Sequence, residues 1–267
     1  MNISDRIVFT FSKQCNMNCP FCYGYFNKEE VDLKQCKIIT KKCAEMGIKR
    51  ITFGGGDPLM YSYIGELVDY AKKLRMEVAV DTNGINYKNI DLNWINKIEY
   101  LSLPLDGYNA SIHDYTRNYR GHYEKVLCII KEFGKLVDIR INTVVVSSNY
   151  QYLYKLYQLL QQLEIKTWHI YEFLPKERGG RNYEKCYIEY EQYSDIIEKI
   201  LNEKSNMRIN HVRAKKRIMN NSNQLYVSSN GILYLNKMDD IHRYFVVGNI
   251  LTENNEYSCN SKIASIE

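Results

Sequence analysis

The sequence predicts an α/β fold with a parallel sheet, and two observations predict it. Six apolar, β-rich runs alternate with stretches of helical period over residues 1–175. Beyond Pro175 the alternation stops, and short strands separated by turn residues take over. The strands are expected at Ile7–Phe11, Arg50–Phe53, Glu77–Asp81, Tyr100–Leu105, Ile139–Ser147 and Thr167–Phe173. Between them, apolar residues recur at helical spacing over Leu33–Met46, Ile64–Leu74, Tyr123–Phe133 and Tyr152–Leu163. A closed eight-stranded barrel would need two more such repeats.

The division this implies is a core over 1–175 and a small C-terminal α+β cap over 176–267. In the second part Gly179-Gly180 reads as a break, Tyr190–Lys204 as a helix, and Met207–Asn210, Leu225–Ser228 and Ile232–Leu235 as strands. Ser229-Asn230-Gly231 has turn chemistry, and Asn220-Asn221-Ser222-Asn223 reads as a loop.

Composition narrows the class. The chain has 267 residues, 45% of them hydrophobic, enough for a large core. No apolar run approaches the roughly 20 residues of a membrane span, and the N-terminus lacks a secretory apolar stretch, so a cytoplasmic location and no membrane partner are expected. Most of the 24 tyrosines suit half-buried packing positions. A net charge of +5 is too mild to argue for nucleic acid. Basic residues do gather at Lys176, Arg178 and Arg181, and again at His211, Arg213, Lys215, Lys216 and Arg217. Solvated surface charge is the ordinary reading of such groups, and an anionic substrate site is the alternative.

Eight cysteines, three of them within Cys15-x-x-x-Cys19-x-x-Cys22, suit a reducing compartment better than a disulfide framework. Structural zinc wants four ligands, usually as two distant pairs, and no second pair is present. Three thiolates from one loop instead supply three corners of an iron–sulfur cube and leave the fourth iron open for chemistry. Asn16 and Asn18 are small polar neighbours of the kind that tune such a site. Cys36 and Cys43 share one helix face, and with Cys128 in another helix all three are expected to be core packing. Cys186 and Cys259 are too few for a second cluster.

This motif, with Phe21 just before its last cysteine, resembles the signature of the radical S-adenosylmethionine (SAM) enzymes. The likeness continues in order: Gly54-Gly55-Gly56-Asp57-Pro58 is similar to the family's Gly-Gly-Glu-Pro segment, Thr82-Asn83-Gly84 to its Asn-Gly, and Leu105-Asp106-Gly107 with His113-Asp114-x-x-Arg117 to its Leu-Asp-Gly and His-Asp-x-x-Arg. It covers roughly the first 175 residues and implies a partial (β/α)6 TIM-type barrel with its active residues at the C-terminal strand ends.

The resemblance also implies a ligand set: one [4Fe-4S] cluster on Cys15, Cys19 and Cys22, and SAM beside it. The backbone of Gly54–Gly56 would meet the methionyl ammonium, and Arg117 would grip the carboxylate with two hydrogen bonds. Asp57, one methylene shorter than the family's Glu, takes the loop-anchoring place, where Asp57→Glu should be tolerated. In some relatives a serine two residues before the Asp-Gly binds the ribose. That place is Pro104, so Asn83 and Ser102 are the ribose-side candidates, with Asn142 at the adenosyl end. Arg140, Lys176 and Arg178 are the substrate candidates.

The implied activity is reductive cleavage of SAM to a 5′-deoxyadenosyl radical that abstracts hydrogen from a small-molecule or peptide substrate. An external electron donor such as flavodoxin or ferredoxin is required. Ile141–Val145 and Trp168–Tyr171 are similar to segments of the viperin-like nucleoside triphosphate dehydratases, which makes a phosphorylated substrate one alternative. A peptide-modifying maturase is a second, although the first strand begins almost at residue 6 and leaves no room for an N-terminal leader-binding domain. An activating enzyme for a partner protein is a third, and a non-enzymatic iron–sulfur sensor, which needs only the cysteines, is the competing class.

Overall fold

The computed structural model describes residues 5–24, 31–213, 224–235, 244–252 and 262–264. In chain order the elements are β1 Arg6–Ser12, α1 Leu33–Glu45, β2 Arg50–Gly55, α2 Ile64–Lys73, β3 Glu77–Asp81, α3 Leu92–Ile95 and β4 Tyr100–Pro104. They continue as α4 Ala110–Arg117, α5 His122–Phe133, β5 Asp138–Val145, α6 Leu153–Gln162, β6 Thr167–Glu172, α7 Glu177–Arg181, α8 Tyr183–Cys186 and α9 Tyr190–Leu201. The last strands are β7 Arg208–Val212, β8 Leu225–Ser228, β9 Ile232–Leu235, β10 Tyr244–Asn249 and β11 Lys262–Ala264.

All described strands lie in one sheet, ordered β11-β10-β9-β8-β1-β2-β3-β4-β5-β6-β7. Neighbours from β1 to β7 pair parallel, as expected where helices carry the chain back between strands. The strands expected as a cap do not form a layer of their own. β7 extends the parallel run beyond β6, while β8 pairs parallel with the far side of β1 and leads an antiparallel ribbon through β9 and β10 to β11. The core residues of β8 and β9 join the same apolar cluster as β1 to β6, so one core serves both parts.

Strand alternation divides the sheet into an outer, helix-facing layer and an inner one. On β5, Ile139, Ile141, Thr143 and Val145 are buried, whereas Asp138, Arg140, Asn142 and Val144 are half-buried on the opposite face. On β1, Ile7, Phe9 and Phe11 are buried, and Val8 and Thr10 face the other way into a cavity. Fully burying each such apolar side chain contributes roughly 1.5–3 kcal/mol, and Phe9, Phe11 and Phe53 form one aromatic group with ring centroids 5.6–6.3 Å apart.

Three local expectations change. The Gly179-Gly180 break lies within the short helix α7, where a Cβ at Gly179 would sit 3.0 Å from the Phe21 carbonyl oxygen, a tight contact. Cys128, expected in the core, is exposed because the buried face of α5 runs through His122, Tyr123, Val126, Ile129, Ile130 and Phe133 and misses it. Helix α4 has no sequence expectation; Asn109 caps it by accepting from the Ile112 N–H at 3.0 Å, and Asn118, left-handed at φ 54°, ends it. Cys36 and Cys43 are buried as expected. Lys215, Lys216, Arg217, the Asn220–Asn223 loop and Cys259 lie outside the described residues. No helix among the described residues is long and apolar enough to cross a membrane.

Phe53→Ala should leave a cavity between β1 and β2 and cost about 3–5 kcal/mol of stability, read as a lower urea midpoint with an unchanged m-value.

Candidate active site

The loop after β1 carries Cys15, Cys19 and Cys22 and is held from several sides. Met17, Cys19 and Phe21 are buried with Val146, Phe173 and Cys186 in a small apolar cluster separate from the main core. From the end of β2, the Asp57 N–H donates to the Gln14 carbonyl at 2.9 Å. A Cβ at Gly56 would sit 1.8 Å from that same carbonyl oxygen, so only glycine fits. From the segment after β6, the Gly179 N–H donates to the Cys22 carbonyl at 2.9 Å, and Asn182 Nδ2 donates to the Pro20 carbonyl at 3.1 Å.

Each sulfur receives a donor. Asn83 Nδ2 lies 3.6 Å from Cys15 Sγ, Arg117 Nη1 lies 3.8 Å from Cys19 Sγ, and the Gly24 N–H points at Cys22 Sγ from 3.4 Å. The guanidinium of Arg117 also sits over the Phe21 ring, 5.3 Å from its centroid.

A buried polar chain ties the strand ends together behind this loop. The Asp57 carboxylate is fully buried and accepts from the Leu59 N–H at 2.9 Å, Thr82 Oγ1 at 2.8 Å and the Asn83 N–H at 2.6 Å. Burial pushes its carboxyl up to about 6, with these donors opposing the rise. The Asn83 side chain donates to Asn16 Oδ1 at 2.8 Å, and the Asn83 backbone carbonyl accepts from His122 Nε2 at 2.6 Å. His122 Nδ1 meets His113 Nε2 at 2.7 Å, and His113 Nδ1 meets the backbone nitrogen of Asp106 at 2.9 Å. The amide of Asp106 can only donate, which assigns His113 the Nε2–H tautomer and leaves His122 Nδ1 as acceptor. Both rings are therefore neutral, and burial lowers His113 to about 2 and His122 to about 4. The chain ends in the ion pair of Arg117 Nε with Asp106 Oδ2 at 2.5 Å.

Of these groups the three cysteines, Asn83 and Arg117 open on one cavity of about 290 Å³ at the C-terminal ends of the strands. The three cysteines line it, as do Gly54, Gly55, Gly56, Asn83, Ser102, Arg117 and Asn142. The Radical SAM superfamily profile matches residues 9–160, the span that supplies these residues. The chain belongs to the radical SAM superfamily.

Its relatives within that superfamily differ in what their names say they make. The AdoMet-dependent heme synthase of Oleidesulfovibrio alaskensis is 26% identical over 200 residues, 72% of this chain and 51% of the relative. The S-adenosylmethionine-dependent nucleotide dehydratase of Flammeovirga pacifica is 25% identical over 258 residues, 87% of this chain and 88% of the relative. The chain thus spans about half the length of the first and most of the second. Among solved structures, anSMEcpe with bound AdoMet has a TM-score of 0.71 at 18% identity, covering 96% of this chain and 80% of that one. At that identity the likeness is one of fold.

Radical SAM membership implies SAM and an iron–sulfur cluster, and the donor set fits both. Three cysteines from one loop face one cavity, each with an N–H group aimed at its sulfur, as a negatively charged cluster requires. On the SAM side, Asn142 Oδ1 is buried without a partner at the cavity wall. The Ser102 hydroxyl hydrogen-bonds the carboxylate of Asp81, which also lines the cavity.

The expected substrate cations fall elsewhere. Arg140 shares the inward face of β5 with Asn142 but lies below the cavity, its guanidinium 3.5 Å from the centroid of the Tyr100 ring and its Nε 3.3 Å from Asp138. Lys176 is buried outside the cavity lining. Arg178 lies behind the cluster loop, close enough to Cys19 and Cys22 for its charge to favour their thiolates. Arg213 stacks over Tyr190 at 4.4 Å. Asp57, Phe21 and Cys186 also stay out of the lining. Sequence reasoning missed Lys13, Asp81, Tyr226, Ser228 and Tyr234, which do line it. Its position could have singled out Asp81, a charged residue at the C-terminal end of a strand whose middle, Val78-Ala79-Val80, is apolar.

Two measurements test this geometry. Asp57→Glu should cost about 1–3 kcal/mol by overpacking a fully enclosed site, contrary to the tolerance expected from sequence, and denaturant melts of the apoprotein would show it. The histidine pair gives a pH signature. Its folded pKa values are depressed, so its contribution is present above the unfolded value near 6.5 and is lost as pH falls towards the folded ones. The stability difference between wild type and His122→Asn should shrink by about 2 kcal/mol between pH 7 and pH 5.

Proposed function

We propose that the chain is a radical SAM enzyme carrying one [4Fe-4S] cluster on Cys15, Cys19 and Cys22 and using SAM to abstract a hydrogen atom from a small molecule bound in the same cavity. The observation that carries this reading is that cysteines, glycine loop, Arg117 and Asn142 share one cavity, whereas a sensor needs only the cysteines. When bound, cluster and SAM supply the chemistry, in which one electron cleaves SAM to methionine and a 5′-deoxyadenosyl radical that takes the substrate's hydrogen.

The chain's own residues bind, orient and shield. The backbone of Gly54–Gly56 receives the methionyl ammonium. Arg117, fixed by Asp106, presents its remaining N–H groups to the carboxylate. Asn83 acts mainly on the loop, since its amide is committed to Asn16 and Cys15. Ser102 and Asn142 take the ribose and adenosyl ends, and the apolar cluster around Phe21 excludes water from the cysteines. Asp81, Lys13 and the stacked rings of Tyr226 and Tyr234, 5.2 Å apart, form the substrate end. The electron comes from an external donor in a reducing, cytoplasmic setting.

A second reading, nucleotide dehydration, is favoured by the near full-length match to the Flammeovirga pacifica relative. Against it, Arg140, Lys176 and Arg178 do not line the cavity, which leaves Lys13 as the cation nearest a phosphate. Reduced enzyme with SAM should release 5′-deoxyadenosine faster with its substrate class. Stimulation by a nucleoside triphosphate, weakened by salt, would choose the second reading, and stimulation only by uncharged small molecules or peptides would exclude it.

Reconstituted protein should hold about four irons, and Cys19→Ala should lose them together with SAM cleavage; near eight irons would refute the single cluster. Arg117→Ala should weaken SAM binding by roughly 2–3 kcal/mol. It also strands the buried Asp106 charge, so the affinity loss should persist in Arg117→Ala/Asp106→Asn while stability partly recovers. Calorimetric titration of SAM beside thermal melts separates the two effects.

A further inference from the structure

The cysteine loop has a second side. Its sulfurs face the cavity, and Pro20 and Phe21, between Cys19 and Cys22, line a separate groove on the outer surface. The far bank of that groove comes from α4 and the turn after it, with Tyr115 and Arg120, and from Lys185 at the end of α8. A single thickness of loop therefore separates solvent from the cysteines at this point, while the SAM cavity lies on the opposite side.

The groove's surface is unlike that of a solvated loop. Tyr115 is 77% exposed, the most exposed large hydrophobic side chain among the described residues, although it sits on the same helix as Arg117. Tyrosine and arginine are enriched at protein–protein interfaces, and Tyr115 and Arg120 line this groove together. The charged side chains lining the groove are Arg120, Lys185 and Asp114. Both Asp114 oxygens are turned inward, accepting from the Gly121 N–H at 2.5 Å and the Tyr123 N–H at 2.8 Å. Arg120 and Lys185 are exposed. The rim is thus cationic around one exposed aromatic.

We infer that this groove is the docking surface for an acidic one-electron carrier protein, which delivers its electron through the Pro20–Phe21 side of the cysteine loop. The inference rests on the radical SAM reading above, since only a cluster that must be reduced calls for such a partner. The transfer moves one electron from the carrier's reduced cofactor to the cluster, oxidises the carrier by one electron, and makes or breaks no bond. Docking here covers the Pro20–Phe21 side of the loop and leaves the SAM cavity uncovered. Complementary charge raises the encounter rate and makes it sensitive to salt.

The probe is reduced flavodoxin, an acidic carrier, compared with dithionite, which needs no docking surface. In holoenzyme, Arg120→Glu/Lys185→Glu should slow cluster bleaching by flavodoxin about tenfold or more at low salt, Tyr115→Ala should slow it further, and dithionite bleaching should be unchanged. Binding of oxidised flavodoxin, followed by chemical-shift perturbation, should weaken in parallel and vanish at high salt. Equal flavodoxin rates in wild type and the charge-reversed variant would overturn the site, as would equal losses with flavodoxin and dithionite. Failure of the underlying reading would look different: wild-type protein reduced by dithionite would then not cleave SAM at all.

Discussion

Three thiols on one short loop must be held close together although each, once ionised, repels the others, and the rest of this structure is organised around meeting that constraint. Burial alone works against it, pushing the Cys22 thiol up to about 11. What favours the thiolates is a ring of donors drawn from separate parts of the chain: Asn83 after β3, Arg117 at the end of α4, and the backbone at Gly24. The loop's carbonyls are bound in turn by Asp57 after β2 and by Gly179 and Asn182 after β6. No one supersecondary unit could supply all of these. A parallel sheet brings the C-terminal ends of its strands to one edge, so the fold class and the site are the same fact seen at two scales.

The polar chain from Asp57 to Arg117 makes the strand ends one rigid unit. Its links are buried, and each donor meets an acceptor, which is the condition under which buried polar groups specify a structure instead of weakening it. The histidine pair is instructive because it is neutral. A protonated ring next to Arg117 would add a second buried cation, whereas two neutral rings pass a hydrogen-bond direction from the Asp106 amide to the Asn83 carbonyl without adding charge.

Much of the fold was legible because its signals are local. β3 occupies the expected Glu77–Asp81, and the other five early strands begin or end within two residues of their expected bounds. The cysteine, glycine, Asn83 and Arg117 motifs were legible too, since each sits in a few consecutive residues at a strand or helix end. What escaped depends on distance in sequence. The β8 strand pairs with β1 across more than two hundred residues, and nothing in Leu225–Ser228 announces that partner. The role of His122 depends on the carbonyl of Asn83, which carries no sequence signal. The basic residues misled for a related reason: Arg140 has the right parity on β5, but parity gives the face of a strand and not the depth, and Tyr100 and Asp138 claim it one layer below the cavity.

At that depth polar groups pair with one another. Thr52 and the Tyr100 hydroxyl meet at 3.3 Å, Arg140 stacks on the same ring, and His169 Nδ1 meets the Tyr171 hydroxyl at 3.1 Å. These groups are partners for one another beneath the cavity. Above them, Arg117 pairs with Asp106, and among the described residues Lys13 and Asp81 are the other ionisable Lys, Arg, Asp or Glu side chains of the lining. Asp81 is half-buried and hydrogen-bonds the Ser102 hydroxyl; burial raises its carboxyl above the usual carboxylate range, with Ser102 and the nearby Arg140 charge opposing the rise. A carboxyl group enclosed in this way either takes up a proton or is met by a donor or a positive charge from the cavity. SAM with its sulfonium, or a substrate bearing hydroxyl or amino groups, supplies the latter. A phosphate placed against an ionised Asp81 would bring two anions together, so the charge on Asp81 bears directly on which ligands the cavity accepts.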